Sequence, residues 1–145
     1  MMRILILNGP NLNLLGKREQ EVYGSQTFET NLETLRSTFP DITLDYAQSN
    51  IEGELVNTLH AAVGKHDGIV MNAGGYTHTS VALRDAVAGI NVPVVEVHIS
   101  NVMAREEFRH TSLLTGVCVG IISGFGLDSY RLAVDALIAR SHPDR

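Results

Sequence analysis

The chain has no tryptophan and a single cysteine among its 145 residues. Cys118 therefore has no second thiol to bridge to, and a reducing, cytoplasmic setting fits. Long apolar runs are missing too: none approaches the ~18 residues that a membrane span requires. The first residues carry one arginine before a short apolar strand and no A-x-A-like cleavage site, so no secretory signal is expected. Positive charge is scarce, with 11 Lys and Arg against 16 Asp and Glu and a net charge of -5. Nucleic acid binding needs a basic face, and none is visible. An anionic small substrate needs only a local gathering of arginines. No G-x-G-x-x-G follows the first strand, and "LLGKRE" lacks the upstream glycine and the Ser/Thr of a P-loop. No H-E-x-x-H or cysteine set suggests zinc. A phospho-receiver domain would want an aspartate where Asn72 stands and acidic residues near Asn8. A site without metal or cofactor is what remains.

What is present is an ordinary globular composition, 44% hydrophobic and 19% charged. Strand and helix patterns alternate. Arg3 to Leu7 reads as a buried strand. "TFETNLETLRSTF" places Phe28, Leu32, Leu35 and Phe39 on one helical face, with Thr27 to cap it and Pro40 to end it. "ITLDYA" alternates as a half-buried strand. "IEGELVNTLHAAVG" puts Ile51, Leu55, Leu59 and Val63 along one stripe, with Asn50 as a cap and Gly64 as a stop. "GIVM" and "VVEVH" read as buried strands on either side of the helix "SVALRDAVAGI". "AREEF" reads as a polar turn or helix, "GVCVGII" as an apolar strand that buries Cys118, and Leu127, Tyr130, Val134, Leu137 and Ile138 as the apolar face of a last helix. Such alternation predicts an α/β fold: a five-stranded parallel sheet covered on both faces, in the flavodoxin-like order 2-1-3-4-5. Residues 1–145 read as one domain with a loose tail from Ser141 to Arg145.

In open parallel sheets, ligands bind beyond the carboxyl ends of the strands, near the switch in strand order. Three unusual stretches fall there. After strand one comes "NGPNLNLLGKREQEVYG", far longer than the ~2–6 residues usual for such a loop. It is partly apolar and sets Lys17 and Arg18 near Tyr23. An unperturbed tyrosine has a pKa of ~10, but an adjacent guanidinium favours the phenolate. Tyr23 is thus either a base activated by Arg18 or an aromatic plug beside a surface charge. After strand three comes "NAGGYTHTS", in which Thr79 or Ser80 caps a helix while Asn72 and His78 flank two glycines. Strand four carries Glu96 and His98, two apart and so on one face. A glutamate in a doubly covered strand is costly unless paired. The pair is either a plain buried salt bridge or an oriented imidazole held ready as a general acid. Arg105 and Arg109 follow, four apart, and would face one way on a helix.

Together the blocks "NGPNLNLLGKRE…YG", "NAGGYTHTSVALRDA" and "EVHISN…AREEFR" resemble those of the type II 3-dehydroquinate dehydratases (type II dehydroquinases), in the same order and at the same spacing. The resemblance covers nearly the whole chain. It implies a single dehydroquinase-like catalytic domain, assembled as a homododecamer (a tetramer of trimers). It also implies dehydration of 3-dehydroquinate to 3-dehydroshikimate without metal or cofactor, in the shikimate pathway or in quinate breakdown. By the same resemblance, Tyr23 is the base, Arg18 keeps it ionised, and Asn11 holds a water that stabilises the enolate. His98, oriented by Glu96, protonates the departing hydroxyl. Asn72, His78 and Arg109 bind ring hydroxyls, and Ile99 and Ser100 hold the carboxylate. Asp85 reaches a neighbouring subunit's site. Gln20 and Met103 depart from the pattern, standing where proline and histidine are common.

Overall fold

In a computed structural model, residues 1–17, 21 and 26–142 are described. Arg18, Gln20 and Tyr23 lie outside them, as do the last three residues of the expected tail. Ser141 and His142 still bond back to Leu137 and Ala139, so the chain stays tied to its last helix through that point.

Five strands, β1 (Arg3–Asn8), β2 (Thr43–Gln48), β3 (Gly68–Asn72), β4 (Val94–His98) and β5 (Gly120–Ser123), form one sheet. Its order is β2-β1-β3-β4-β5, and all neighbours are parallel. The expected order is thus observed. Among the described residues, four α-helices cover it: α1 (Phe28–Thr38), α2 (Glu52–Ala61), α3 (Val81–Gly89) and α4 (Asp128–Arg140).

Period-two alternation divides the core. Ile4, Ile6, Val70, Val95 and Val97 face α1 and α4, against Phe28, Leu32, Tyr130, Val134 and Leu137. Leu5, Leu7, Ile69, Met71 and Val94 face α2 and α3, against Leu55, Leu59, Leu83 and Val87. Parallel strands buried on both faces read as continuous apolar runs, as these do. Thr27 and Ser80 cap α1 and α3 by accepting from the Thr30 and Leu83 amides.

Several local expectations are corrected. Asn50 does not cap α2: its Oδ1 accepts from the Asn11 amide, and Ser49 instead accepts from the Ile51 amide and donates to Glu54. The α2 stripe buries Leu55 and Leu59 but leaves Ile51 and Val63 exposed at its ends. "GVCVGII" is not a full strand. Thr115–Val117 forms a 3-10 turn, and pairing begins at Gly120, so half-buried Cys118 packs beside the α2–α3 core rather than inside a strand. For "AREEF", expected as a polar turn or helix, the turn is what forms: two 3-10 turns, Val102–Ala104 and Glu107–His110, joined at an extended Arg105.

Candidate active site

Between β1 and β3 the strand order reverses, and there the loops leave in opposite directions. Two glycines let them interlock. The Gly9 amide donates to the Asn72 carbonyl at 2.7 Å. A Cβ on Gly9 would lie 2.6 Å from the Ala73 oxygen, and one on Gly74, at φ +60, would lie 3.1 Å from the Pro10 oxygen. The chain then passes through Asn11, a non-glycine residue at φ 70, held there by its amide bond to Asn50 and by the Leu14 amide on its carbonyl.

This crossing forms one wall of a cavity of ≈ 190 Å³. The loop after β1 contributes Pro10, Asn11, Leu12 and Leu15; the turn after β3 contributes Asn72, Gly74 and Gly75; the end of β4 contributes His98, Ile99 and Ser100. Arg105 and Arg109 close the far side with Val102. The convergence of the loops after strands one, three and four, expected from the sequence, is therefore present. The arginines face the cavity as expected, but by way of the two 3-10 turns rather than a helix face.

At the end of β4, His98 Nε2 donates to Glu96 Oε2 at 2.5 Å. Glu96 is fully buried, and His98 is 6% exposed at the cavity wall. Two hydroxyls complete the carboxylate's shell: Thr115 Oγ1 donates to Oε1 at 2.6 Å, and Ser112 Oγ lies 3.0–3.1 Å from both oxygens. Burial is the largest single influence on Glu96 and opposes its charge. The bonds from His98, Thr115 and Ser112, with the His98 charge, outweigh it and hold the carboxyl below the ordinary glutamate range. Burial, then the Glu96 charge, pushes the nearby Cys118 thiol up to about 12.

His78 stands beside the dyad without lining the cavity. Its ring is 6.4 Å from that of His98, and Nδ1 donates to the Thr111 carbonyl at 2.7 Å, which leaves Nε2 as the acceptor in the neutral ring. Arg109 is held by Glu106, with Nε to Oε1 at 3.0 Å, and Arg105 Nη1 reaches Ser100 Oγ at 3.4 Å. Asp85 lies apart, exposed on α3 beside Arg84. Met103 is exposed and lines a separate hollow beside Glu96. Among the described residues, no group of three or more His, Cys, Asp or Glu side chains is placed to hold a metal ion.

Sequence reasoning missed Ser112 and Thr115, which serve Glu96 from a distant turn. It also missed a chain of side chains behind Asn72. Asn72 Nδ2 donates to Tyr130 Oη at 2.9 Å, and Tyr130 Oη donates to Asn8 Oδ1 at 2.7 Å. The signal available was that β1 and β3 both end in asparagine, at paired register positions.

Fold and site together define a class: doubly wound α/β proteins with a carboxylate-held histidine and an arginine pair at the switch point. The family model described as dehydroquinase class II matches residues 2–138. The chain is 57% identical over 138 residues to a 3-dehydroquinate dehydratase of an Exiguobacterium strain, covering 94% of each chain. A 3-dehydroquinate dehydratase of Prochlorococcus marinus is 50% identical, with 95% of this chain and 97% of that one covered. Among solved structures, the type II dehydroquinase from Butyrivibrio crossotus superposes with a TM-score of 0.92 at 45% identity, covering 94% of this chain and 97% of that one. The chain belongs to the class II dehydroquinase family.

Proposed function

We propose that this protein is a 3-dehydroquinate dehydratase, eliminating water from 3-dehydroquinate to give 3-dehydroshikimate in the shikimate pathway or in quinate breakdown. The observation that carries the reading is the buried Glu96–His98 pair at a cavity that also holds Arg105, Arg109 and Asn72.

The chemistry follows from these groups. Glu96 accepts from Nε2 and so orients the ring, which leaves Nδ1 to hand a proton to the departing hydroxyl. Tyr23, kept ionised by Arg18, takes the proton beside the ketone from the opposite face of the ring. The C–H electrons pass into an enolate, then form the new double bond as the hydroxyl leaves with the His98 proton as water. Acid and base alone balance this anti elimination, so the reaction calls for no metal or cofactor. Asn11, whose strained backbone pins it at the cavity rim, holds a water against the enolate. Ile99 and Ser100 take the carboxylate with a backbone N–H and a hydroxyl, and Asn72, His78 and Arg109 take ring hydroxyls.

The working form in this reading is a cytoplasmic homododecamer built from trimers, each chain one catalytic domain. The exposed Met103, Phe108, Ile121 and Phe125 suit burial in such an assembly.

The test mixes the protein with 3-dehydroquinate and excess chelator and follows the ultraviolet absorbance of the conjugated product. Turnover should persist with chelator and disappear in Tyr23→Phe. Binding without turnover would make the protein a carboxylate-binding module instead, and turnover that requires metal would sink the acid–base route.

A further inference from the structure

Asn72 is part of the cavity wall, and the orientation of its side-chain amide is set from behind. The Gly74 amide can only donate, and it donates to Asn72 Oδ1 at 3.1 Å. That turns Nδ2 toward Tyr130 Oη, 2.9 Å away. Having accepted from Asn72, the phenol gives its own hydrogen to Asn8 Oδ1 at 2.7 Å. Asn8 Nδ2 is thereby turned toward Tyr46 Oη, at a long 3.5 Å. The direction of every bond follows from the Gly74 amide. A flipped Asn72 would set its NH2 against the Gly74 N–H and strand two donors together.

The phenol is built to stay put. Tyr130 is fully buried on α4, and Phe28 packs edge-on against it with centroids 4.9 Å apart. Burial, above all, pushes its hydroxyl far above the ordinary tyrosine range, so it keeps its hydrogen at any working pH. One hydrogen of Asn72 Nδ2 is committed to Tyr130, and the other is available to a ligand in the cavity that Asn72 lines.

We infer that Tyr130 is a positioning residue for substrate recognition: with Gly74 it locks Asn72 to present an N–H, so that the ring group meeting it must be an acceptor. The identity of that ring rests on the dehydratase reading. A core tyrosine thus selects for a ring hydroxyl it never touches.

The test compares 3-dehydroquinate with two analogues, each lacking one of the two ring hydroxyls that do not leave. In the wild type, kcat/KM for one analogue should fall about tenfold below the parent, the worth of a hydrogen bond whose buried donor is then left unmet. In Tyr130→Phe that penalty should shrink to within about twofold, because Gly74 still holds Oδ1 but nothing fixes Nδ2, which can pivot about that one anchor and no longer requires an acceptor at a set place. The penalty for the other analogue should stay as it was. A merely loosened core would lower all three substrates alike, and unchanged discrimination would overturn the proposal. Should Tyr130→Phe fail to fold, the wild type decides by NMR. Of the two Asn72 side-chain amide protons, the one bonded to Tyr130 must be slowed in exchange; equally fast exchange of both sinks the lock. Failure of the wild type to turn over 3-dehydroquinate would remove the dehydratase reading while leaving the NMR result to stand or fall alone.

Discussion

Glu96 shows how much one buried carboxylate depends on its donors. Glutamine at this position keeps one accepting oxygen and adds an NH2, which must face either His98 or the Thr115 and Ser112 hydroxyls. Either choice disturbs a bond of the shell and removes the carboxylate charge beside His98. In Glu96→Gln, kcat/KM should fall about a hundredfold or more, the scale of general acid catalysis. The stability effect has a definite sign with pH. The folded carboxyl sits below its ordinary value of 4.5, so ionised Glu96 stabilises the native state above that pH, and the contribution is lost as pH falls through the folded pKa. The gap in Tm between wild type and Glu96→Gln should therefore close as pH is lowered past 4.5; a gap that widened would contradict the assignment. Cys118 makes a simpler case. A thiol pushed up to about 12 holds almost no thiolate at neutral pH, so a disulfide reagent should label it slowly when folded and quickly in denaturant. At this scale, the sequence marked Glu96 and His98 as partners because a carboxylate stands out in an apolar strand, and the structure pairs them. It did not find Ser112, Thr115 or Tyr130. A serine in a turn and a tyrosine on an apolar helix face look ordinary until tertiary contacts give them partners.

Elements were legible where periodicity ran long enough. The α1 and α4 stripes and the β1, β3 and β4 runs emerged at their places, since burial of one face or two leaves a repeat in the chain. The stretch from Val102 to Val117 did not. Its 3-10 turns are too short to establish a repeat, and the β-branched run around Cys118 imitates a strand. The crossing of the β1 and β3 loops hinges on Gly9, which the alternating pattern marks only as the end of a strand. Gly9→Ala would drive a methyl into the Ala73 backbone on both its carbonyl atoms, at 2.6 and 2.8 Å. Such overpacking should destabilise by about 1–3 kcal/mol and shift the Asn72–Gly74 wall, so Tm and activity should fall together. Gly53, near the start of α2, is the contrasting position. A Cβ there meets nothing within 4 Å, and Gly53→Ala should raise stability by about 0.5 kcal/mol through a less flexible unfolded chain, with activity unchanged. Chemical denaturation of the two variants separates a glycine required by close approach from one that is dispensable.

For the whole molecule, Asp85 poses the sharpest question, because it lies on α3 with its side chain 67% exposed and takes no part in lining its own cavity. Nothing in one chain says what such a carboxylate is for: the periodicity of α3 places it on the outer face and stops there. The proposed trimer gives it a task, since a residue useless to its own site can complete the next one. That role can be tested by mixing two inactive proteins. Asp85→Ala subunits retain Tyr23 but offer nothing to a neighbour, whereas Tyr23→Phe subunits lack the base but still supply Asp85. If the two are unfolded together and reassembled in equal amounts, a site is whole when its own chain has Tyr23 and its neighbour has Asp85. In a closed cyclic assembly that combination arises at about a quarter of the sites, so activity should return to about that fraction of wild type. A residue acting within its own chain would give no recovery, because no chain in the mixture carries both groups.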